Sequence, residues 1–240
     1  MVRVLVTRPE PGASRTVKAL NSKGIHARAI CLTEILPLQF KLPAGNFDAL
    51  IITSQNAIIH GAALLEDHKS APVFAVGKRT AESLPDNRII DWAETAEGLL
   101  PKIINRAPKR LLYICGQTRR PELEAGLKNT GIKVDVVEVY SAKPAGNASE
   151  KLEKFFQSLE STIVLFHAPS AANIFVSAIN RKSLAETTRF LCLSAAIAAD
   201  LPAEWQNQIT VAKHPDEATL LHELDGLSDK MLARDHMPEA

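Results

Sequence analysis

A strand–turn–helix unit that occurs twice is the feature that most restricts the fold of this chain. In residues 73–84, VFAVGKRTAESL, an apolar run meets a glycine, two basic residues and an amphipathic segment. This pattern predicts a buried strand, a tight turn at Gly77 and a helix that starts near Thr80. A diverged copy of this unit, FLCLSAAIAADL, occupies residues 190–201. The two copies are 117 residues apart, counted from Gly77 to Ser194.

Two further pairs of segments support an internal duplication. Residues 51–64 resemble residues 165–179, and residues 93–103 resemble residues 213–224. Every member places Ser, Thr or small residues where a strand ends and a helix begins. Ligands of open parallel sheets bind outside the carboxyl ends of the strands, and helix N-termini suit anions. The repeat therefore favours an anion receptor, although an ordinary turn with a solvated basic pair stays an alternative for Lys78 and Arg79.

The predicted elements alternate between strands and helices, with two interruptions. A strand at residues 2–7, a helix from Ser14 to about Lys23 and a strand at residues 26–31 begin the chain. Residues 33–43, with two prolines and no helical period, read as a linker or a crossing strand, and residues 140–147 form the second interruption. Strands between the interruptions are predicted at residues 49–53, 73–76, 88–91, 111–115 and 134–139. Strands after them are predicted at residues 162–167, 189–193 and 208–212, followed by a helix from Asp216 and a frayed tail from Ser228.

The number of strands decides the predicted architecture. The N-terminal piece is too small to be a domain, but with the C-terminal strands it makes five, which equals the middle set. We therefore predict an α/β protein with two flavodoxin-like parallel-sheet domains. The first is discontinuous, over residues 1–36 and 143–240, and the second covers residues 37–142. Crossings near residues 34–43 and 140–147 lie side by side as a hinge, and two facing sheet edges would form a cleft for a polyanion.

Composition and missing motifs exclude several classes of function. A net charge of +1 gives no nucleic-acid signature, so any anion site has to be local. No apolar run is long enough to span a bilayer and the first residues do not form a signal peptide, so we expect a cytoplasmic protein without membrane contact. The seven histidines lack HExxH spacing and the three cysteines match no zinc pattern, so no metal is expected. Because nucleotide loops, a GxSxG elbow and a phosphate loop for FMN are missing, no cofactor is expected.

Several short motifs, taken in order, resemble those of one enzyme family. They are VLVTRPEPG (residues 4–12), TSQNA (53–57), AVGKRTAESL (75–84), AEGLL (96–100), CGQTRRPEL (115–123), GIKVDVVEVY (131–140) and APSAANIF (168–175). Each motif alone is weak, but their order and spacing together are specific. On these motifs the chain resembles uroporphyrinogen-III synthases over residues 2–224.

The resemblance implies a fold, a reaction and a set of partners. Members have two domains joined by a two-stranded crossing ladder, with the active site in the cleft between the domains. They take the linear tetrapyrrole hydroxymethylbilane, remove water, invert ring D through a spiro intermediate and close the macrocycle to uroporphyrinogen III. Neither a metal nor a cofactor takes part. We also expect a monomer that makes transient contact with hydroxymethylbilane synthase.

The resemblance also implies which residues act. Tyr140 is the expected catalytic residue, a phenol that gives a proton to the departing hydroxyl; an aromatic residue at a strand end that bonds the backbone stays the alternative. The expected substrate-binding residues are Arg8, Pro9, Thr53, Ser54, Gly77, Thr80, Arg120, Pro169 and Ser170. Two of these keep structural alternatives, because Thr80 would also serve as an N-cap and Arg120 would also pair with Glu122 or Glu124.

The second copy of the turn departs from the family pattern. The family usually keeps a Gly-x-x-Thr-Ala turn there, whereas this chain has Ser194 and Ile197 in place of the glycine and the threonine. The change removes a hydroxyl donor and a flexible turn from that sheet edge. A catalytically weak or inactive two-lobe module that binds an anionic ligand is therefore the alternative function.

Overall fold

Two compact units make up the chain. The structure, a computed structural model, describes residues 2–119, 121–158 and 160–235. Unit 1 comprises the residues up to Glu34 and those from Lys143 onward, and unit 2 comprises Ile35–Ala142. Each unit contains its own sheet, and the predicted α/β class with two mainly parallel sheets is confirmed.

Strands and helices alternate along most of the described chain. The strands are β1 (Arg3–Val6), β2 (His26–Ala29), β3 (Thr33–Pro37), β4 (Ala49–Ile52), β5 (Val73–Val76), β6 (Ile89–Ala93), β7 (Arg110–Gly116), β8 (Lys133–Pro144), β9 (Thr162–Phe166), β10 (Arg189–Cys192) and β11 (Ile209–Val211). The α-helices are α1 (Gly12–Ser22), α2 (Gln55–His60), α3 (Ala62–Asp67), α4 (Lys78–Glu82), α5 (Ala96–Arg106), α6 (Glu122–Leu127), α7 (Ala148–Phe155), α8 (Pro169–Ala178), α9 (Ala195–Ala198) and α10 (Glu217–Asp235). Short 3-10 helices cover Asp86–Arg88, Arg181–Ser183 and Ala203–Gln208.

The sheet of unit 1 has the order β11-β10-β9-β1-β2 and its strand pairs are parallel. Numbered within the unit, this order is 2-1-3-4-5 read from β2, which is the flavodoxin-like arrangement. The order reverses between β1 and β9, so the topological switch point of unit 1 lies at the carboxyl ends of these two strands.

The sheet of unit 2 has the order β3-β8-β7-β4-β5-β6. Its pairs from β8 to β6 are parallel. Strand β3 runs antiparallel to β8, because the Leu38 amide bonds the Val139 carbonyl while the Ala145 amide bonds the Leu32 carbonyl. The switch point of unit 2 lies between β4 and β7, where the chain returns after forming the β5 and β6 edge.

Both faces of each sheet are buried, which explains why the central strands are almost uninterrupted apolar runs. In β4, Leu50 and Ile52 pack into one cluster while Ala49 and Ile51 pack into another on the opposite face. The same alternation holds in β9, whose residues divide between the two clusters of unit 1. Burial on both faces therefore fixes the register of these strands.

Two predictions about element lengths are wrong. Strand β8 does not end near Val139 but continues to Pro144, because β3 pairs with its second half. The expected frayed tail from Ser228 is instead helical as far as Asp235. Helix α10 continues because Leu220, Leu224 and Met231 recur at helical spacing and are buried in one cluster of unit 1.

Candidate active site

The carboxyl ends of the unit 2 strands surround a cavity of about 330 Å³. It lies at the switch point between β4 and β7, where open parallel sheets usually bind their ligands. The side chains with hydroxyl groups that line it are Thr53, Ser54, Thr95, Tyr113, Thr118 and Tyr140. Ionisable side chains at its wall are Glu94, Glu97 and Arg119. The cavity is therefore rich in groups that both donate and accept hydrogen bonds.

Both tyrosines of the chain pair with consecutive hydroxyl residues at the end of β4. The Tyr113 hydroxyl lies 3.3 Å from Thr53 Oγ1, and the Tyr140 hydroxyl lies 3.0 Å from Ser54 Oγ. Ser54 also caps helix α2, because its Oγ accepts a hydrogen bond of 3.1 Å from the Ala57 amide. The structure thus brings Thr53, Ser54 and Tyr140 together at one wall.

Burial raises the pKa of both phenols, which are already protonated at neutral pH at the ordinary tyrosine pKa. It raises the pKa of Tyr113, which is 2% exposed, to about 12. Burial also raises the pKa of Tyr140 above its ordinary value, and the hydrogen bond with Ser54 partly offsets this effect. Tyr140 is half-buried and lines the cavity, so its phenol adjoins the space that a ligand would occupy.

A β-bulge and a glycine set the position of the Tyr140 ring. The register of β7 and β8 shifts after Cys115, so Gly116 stands opposite Tyr140 instead of Val139. Such a bulge redirects the side chain that follows it. A Cβ on Gly116 would lie 2.6 Å from Tyr140 Cζ, so only glycine leaves room for the ring. The role of Gly116 is not predictable from the sequence, because nothing there shows which glycine a distant ring approaches.

Arg119 is a second residue of the cavity wall that the sequence analysis missed. Its Nε and Nη2 bond the Glu124 carboxylate at 2.9 and 3.1 Å, and its Nη1 bonds Glu138 at 2.7 Å. The carboxylate of Glu124, followed by that of Glu138, raises the pKa of the guanidinium. Nη1 also bonds the Gly116 carbonyl at 3.2 Å, so Arg119 fixes the loop that follows β7. The predicted residue Arg120 lies outside the described residues.

The turn after β5 has a backbone conformation that favours glycine. Gly77 has a φ of +84°, and its amide bonds the Ala93 carbonyl at 2.7 Å. Helix α4 begins at Lys78, so the predicted start near Thr80 is wrong and Thr80 is the third helical residue, not the N-cap. The Thr80 side chain is 5% exposed. Its role as a donor to a ligand stays a prediction, and its burial favours a structural role.

In unit 1, Arg8 forms an internal ion pair just beyond β1. Its Nη1 lies 2.8 Å from a Glu217 carboxylate oxygen, and the other oxygen of Glu217 accepts a hydrogen bond of 2.7 Å from Thr16. A Cβ on Gly12 would lie 2.3 Å from Arg8 Nε, so the guanidinium rests against the first residue of α1. The Arg8 side chain is nevertheless 22% exposed, which leaves part of it accessible to a ligand.

Three further predicted residues lie at the same carboxyl edge of unit 1. Pro9 follows Arg8, and its carbonyl accepts a hydrogen bond of 3.2 Å from the Ala13 amide. Pro169 and Ser170 open helix α8 after the neighbouring strand β9 and are exposed. Because β1 and β9 are parallel neighbours, the structure brings these residues and Arg8 to the switch point of unit 1.

The other features bearing on chemistry concern metals, thiols and membranes. Within residues 2–119, 121–158 and 160–235, no group of three His, Cys, Asp or Glu side chains could hold a metal ion. Cys115 and Cys192 are buried, which raises the pKa of each thiol to about 12. No helix in the described part of the chain is both long and apolar enough to cross a bilayer.

Comparison with known proteins decides the family. The model of a family described as uroporphyrinogen-III synthase HemD matches residues 14–222. The chain belongs to the uroporphyrinogen-III synthase family. Membership makes it a hydro-lyase of haem biosynthesis that forms uroporphyrinogen III. The resemblance inferred from the short motifs is confirmed.

Solved structures show the same synthase fold. Uroporphyrinogen-III synthetase from Helicobacter pylori 26695 is 22% identical, with a TM-score of 0.62 over 95% of this chain and 100% of that chain. A mutant uroporphyrinogen III synthase from the extremely thermophilic bacterium Thermus thermophilus is 16% identical, with a TM-score of 0.57 over 96% of this chain and 100% of that chain. A search of curated proteins found no match.

At the second copy of the turn, the isoleucine that replaces the family's threonine lies in the hydrophobic core of unit 1. Ile197 stands where unit 2 has Thr80, and it is 2% exposed within a hydrophobic cluster of unit 1. Ser194 precedes helix α9, but its side chain does not cap the helix. The equivalent positions of both copies are thus buried, so the change from threonine to isoleucine alters packing inside unit 1.

Proposed function

We propose that the chain converts hydroxymethylbilane to uroporphyrinogen III with Tyr140 as the general acid and the unit 2 cavity as part of the substrate site. The observation that carries this proposal is the Tyr140 phenol, which is protonated, lines the cavity and is held by Ser54 at 3.0 Å. Family membership supplies the reaction. A phenol at the cavity wall supports the role of proton donor that departure of the hydroxyl needs.

The reaction balances with one proton donor and one molecule of water. The phenol proton passes to the hydroxyl of the hydroxymethyl group, the C–O bond breaks and water leaves. The carbon freed in this way bonds to the ring D carbon that already carries the bridge from ring C, which gives the spiro intermediate. The bond between ring D and that bridge carbon then breaks, and the bridge carbon bonds to the other α-carbon of ring D, which inverts ring D and closes the macrocycle. The pyrrole carbon that closes the macrocycle then loses its proton, which restores the phenol. Because no step changes the oxidation state, we propose that neither a metal nor a cofactor takes part.

Local groups at the two sheet edges would bind the eight carboxylates of the substrate. In unit 2 we propose Thr53, the turn at Gly77 and Arg120. In unit 1 we propose Arg8, Pro9, Pro169 and Ser170, where the carboxyl ends of β1 and β9 adjoin. Local donors are needed because the net charge of the chain is only +1.

We also propose a setting for the enzyme. The cysteines, Cys31, Cys115 and Cys192, are free thiols, which fits a reducing cytoplasm. Each unit buries both faces of its own sheet, which fits a monomer. Hydroxymethylbilane closes spontaneously to the type I isomer, so transient contact with hydroxymethylbilane synthase would protect the substrate.

An assay that separates the product isomers tests the proposal. The purified protein should convert hydroxymethylbilane to the type III isomer, and Tyr140→Phe should lower kcat by about 100-fold with little change in KM. The midpoint of thermal unfolding serves as the control for folding. If the wild type yields only the type I isomer, the assigned reaction is wrong; if Tyr140→Phe keeps wild-type kcat, the acid role of Tyr140 is wrong.

A further inference from the structure

The Ser54 hydroxyl contacts both a helix and the proposed acid. Its Oγ accepts the Ala57 amide hydrogen at 3.1 Å and lies 3.0 Å from the Tyr140 hydroxyl oxygen. A serine hydroxyl has one proton to donate and two lone pairs that accept. The helix occupies one lone pair, so the Tyr140 contact uses either the serine proton or the second lone pair.

The direction of the contact between Ser54 and Tyr140 decides whether the phenol can act as an acid. If Tyr140 donated to Ser54, its only proton would be held by the protein and turned away from a ligand. If Ser54 donates, the phenol oxygen is an acceptor and the phenol proton is free to point into the cavity that Tyr140 lines. When Ser54 is the donor, its proton bonds the Tyr140 oxygen and the Tyr140 proton bonds a substrate hydroxyl, so both hydroxyl protons have an acceptor.

We propose that Ser54 is a positioning residue that donates its proton to the Tyr140 oxygen and thereby leaves the phenol proton for the substrate. This inference rests on the proposed function and assigns Ser54 a role different from the substrate binding predicted from the sequence. The chain of hydrogen bonds runs from the Ala57 amide through Ser54 to Tyr140. Each bond in such a chain polarises the next, which makes the phenol a better acid.

Several other groups lie near the phenol or line the same cavity. The His60 ring on α2 lies 5.9 Å from the Tyr140 ring, measured between centroids, and the buried Cys115 adjoins it from β7. The charged groups at the same cavity wall are Glu94, Glu97 and Arg119. A substitution at Ser54 adds or removes none of these charges.

Two variants distinguish the effect of losing the Ser54 proton from the effect of losing the helix N-cap. Ser54→Gly removes the hydroxyl but keeps most of the helix stability, because glycine is an acceptable N-cap. Ser54→Thr keeps a hydroxyl that both caps the helix and donates. We expect Ser54→Gly to lower kcat roughly tenfold while KM changes by less than about twofold, and Ser54→Thr to restore kcat. An increase in KM with kcat unchanged would overturn the proposal, because it would make Ser54 a substrate contact.

A spectroscopic measurement tests the same bond without turnover. Tyr113→Phe leaves Tyr140 as the only tyrosine, so the infrared C–O stretch of the phenol is assigned to it. This band differs between a phenol that accepts and one that donates. In the Tyr113→Phe background we expect the accepting position with Ser54, a shifted band with Ser54→Gly, and the original band with Ser54→Thr.

The infrared result is independent of the reaction. A donating band in the presence of Ser54, or no shift in Ser54→Gly, overturns the positioning role even if the enzyme is active. If instead Tyr140→Phe keeps wild-type kcat, the acid role of Tyr140 fails first, and the accepting band would still establish the direction of the hydrogen bond. Failure of the positioning role and failure of the proposed function therefore give different results.

Discussion

The ring of Tyr140 lies so close to the backbone of Gly116 that a Cβ there would come within 2.6 Å of Cζ and 2.9 Å of the hydroxyl oxygen. The two residues face each other because the register of β7 and β8 shifts at this point. Gly116 also presents its carbonyl to Arg119 at 3.2 Å. A single backbone position thus supports both the proposed acid and the loop beside it.

Gly116→Ala should displace the Tyr140 ring. We expect kcat to fall and the free energy of unfolding to drop by about 1–3 kcal/mol, because the added methyl group overpacks a closed site. Activity assays and chemical denaturation measure the two effects. Gly146→Ala is the matched control, since nothing lies within 4 Å of its Cβ position. Wild-type kcat in Gly116→Ala would show that the ring can move without loss of function.

Arg8→Gln should affect both stability and substrate binding. The Arg8 and Glu217 side chains are 22% and 14% exposed, so loss of the charged bond should destabilise the protein by about 1.5–3 kcal/mol. We also expect KM to rise roughly tenfold if Arg8 meets a substrate carboxylate. Lys23→Gln breaks an ion pair whose side chains are 48% and 43% exposed, and serves as the control. A stability loss with unchanged KM would make Arg8 a structural residue only.

Substitutions at Ile197 and Thr80, the equivalent turn positions of the two units, should affect protein stability more than substrate binding, because both residues are buried. Ile197→Ala should destabilise unit 1 by about 2–5 kcal/mol through a cavity in the core. Thr80→Val should leave KM within about twofold, since only 5% of the residue is exposed. Denaturation and steady-state kinetics measure these outcomes. A large rise in KM for Thr80→Val would show instead that the threonine hydroxyl reaches the substrate.

Tyr113 should make stability fall at alkaline pH. Its pKa is about 12 in the folded state because of burial, against an ordinary value of 10. The unfolded chain therefore releases the proton first, so the free energy of unfolding decreases as pH rises from the unfolded pKa toward the folded one. Between about pH 8 and about pH 11 the wild type should lose about 1.4 kcal/mol more than Tyr113→Phe. Equal slopes for the two proteins would contradict the raised pKa.

Burial patterns explain which parts of the fold were predictable. The runs at Ala49–Ile52 and Val73–Val76 are buried on both faces, so their apolar sequences mark them as central strands. The internal repeat predicted that the segment after β4 corresponds to the one after β9, and that the segment after β5 corresponds to the one after β10. The end of β8 was not predictable, because its second half pairs with β3 and lacks the apolar run of a central strand.

The candidate site was predictable only where a strand end carries a hydroxyl residue. Thr53 and Ser54 met this condition, and Tyr140 came from the family motif. Tyr113 was missed because its place within the apolar run LLYIC indicates a core residue, while its hydroxyl contacts Thr53, which directly follows the neighbouring strand β4. Arg119 was missed because the sequence does not show which of two consecutive arginines after β7 meets the Glu124 and Glu138 carboxylates.

The pairing of β1 with β9 has a consequence for how the protein is made. Arg3 stands opposite Thr162, so β1 has to wait for a partner strand that lies 159 residues later in the chain. Unit 2 is continuous and its neighbouring strands lie closer in sequence, so the loops that it has to close are shorter. Unit 2 is therefore able to fold during synthesis while β1 still lacks β9 as its neighbour. Strand β1, all of whose residues are buried in the folded protein, thus stays exposed until β9 is made, and protection from aggregation matters most there.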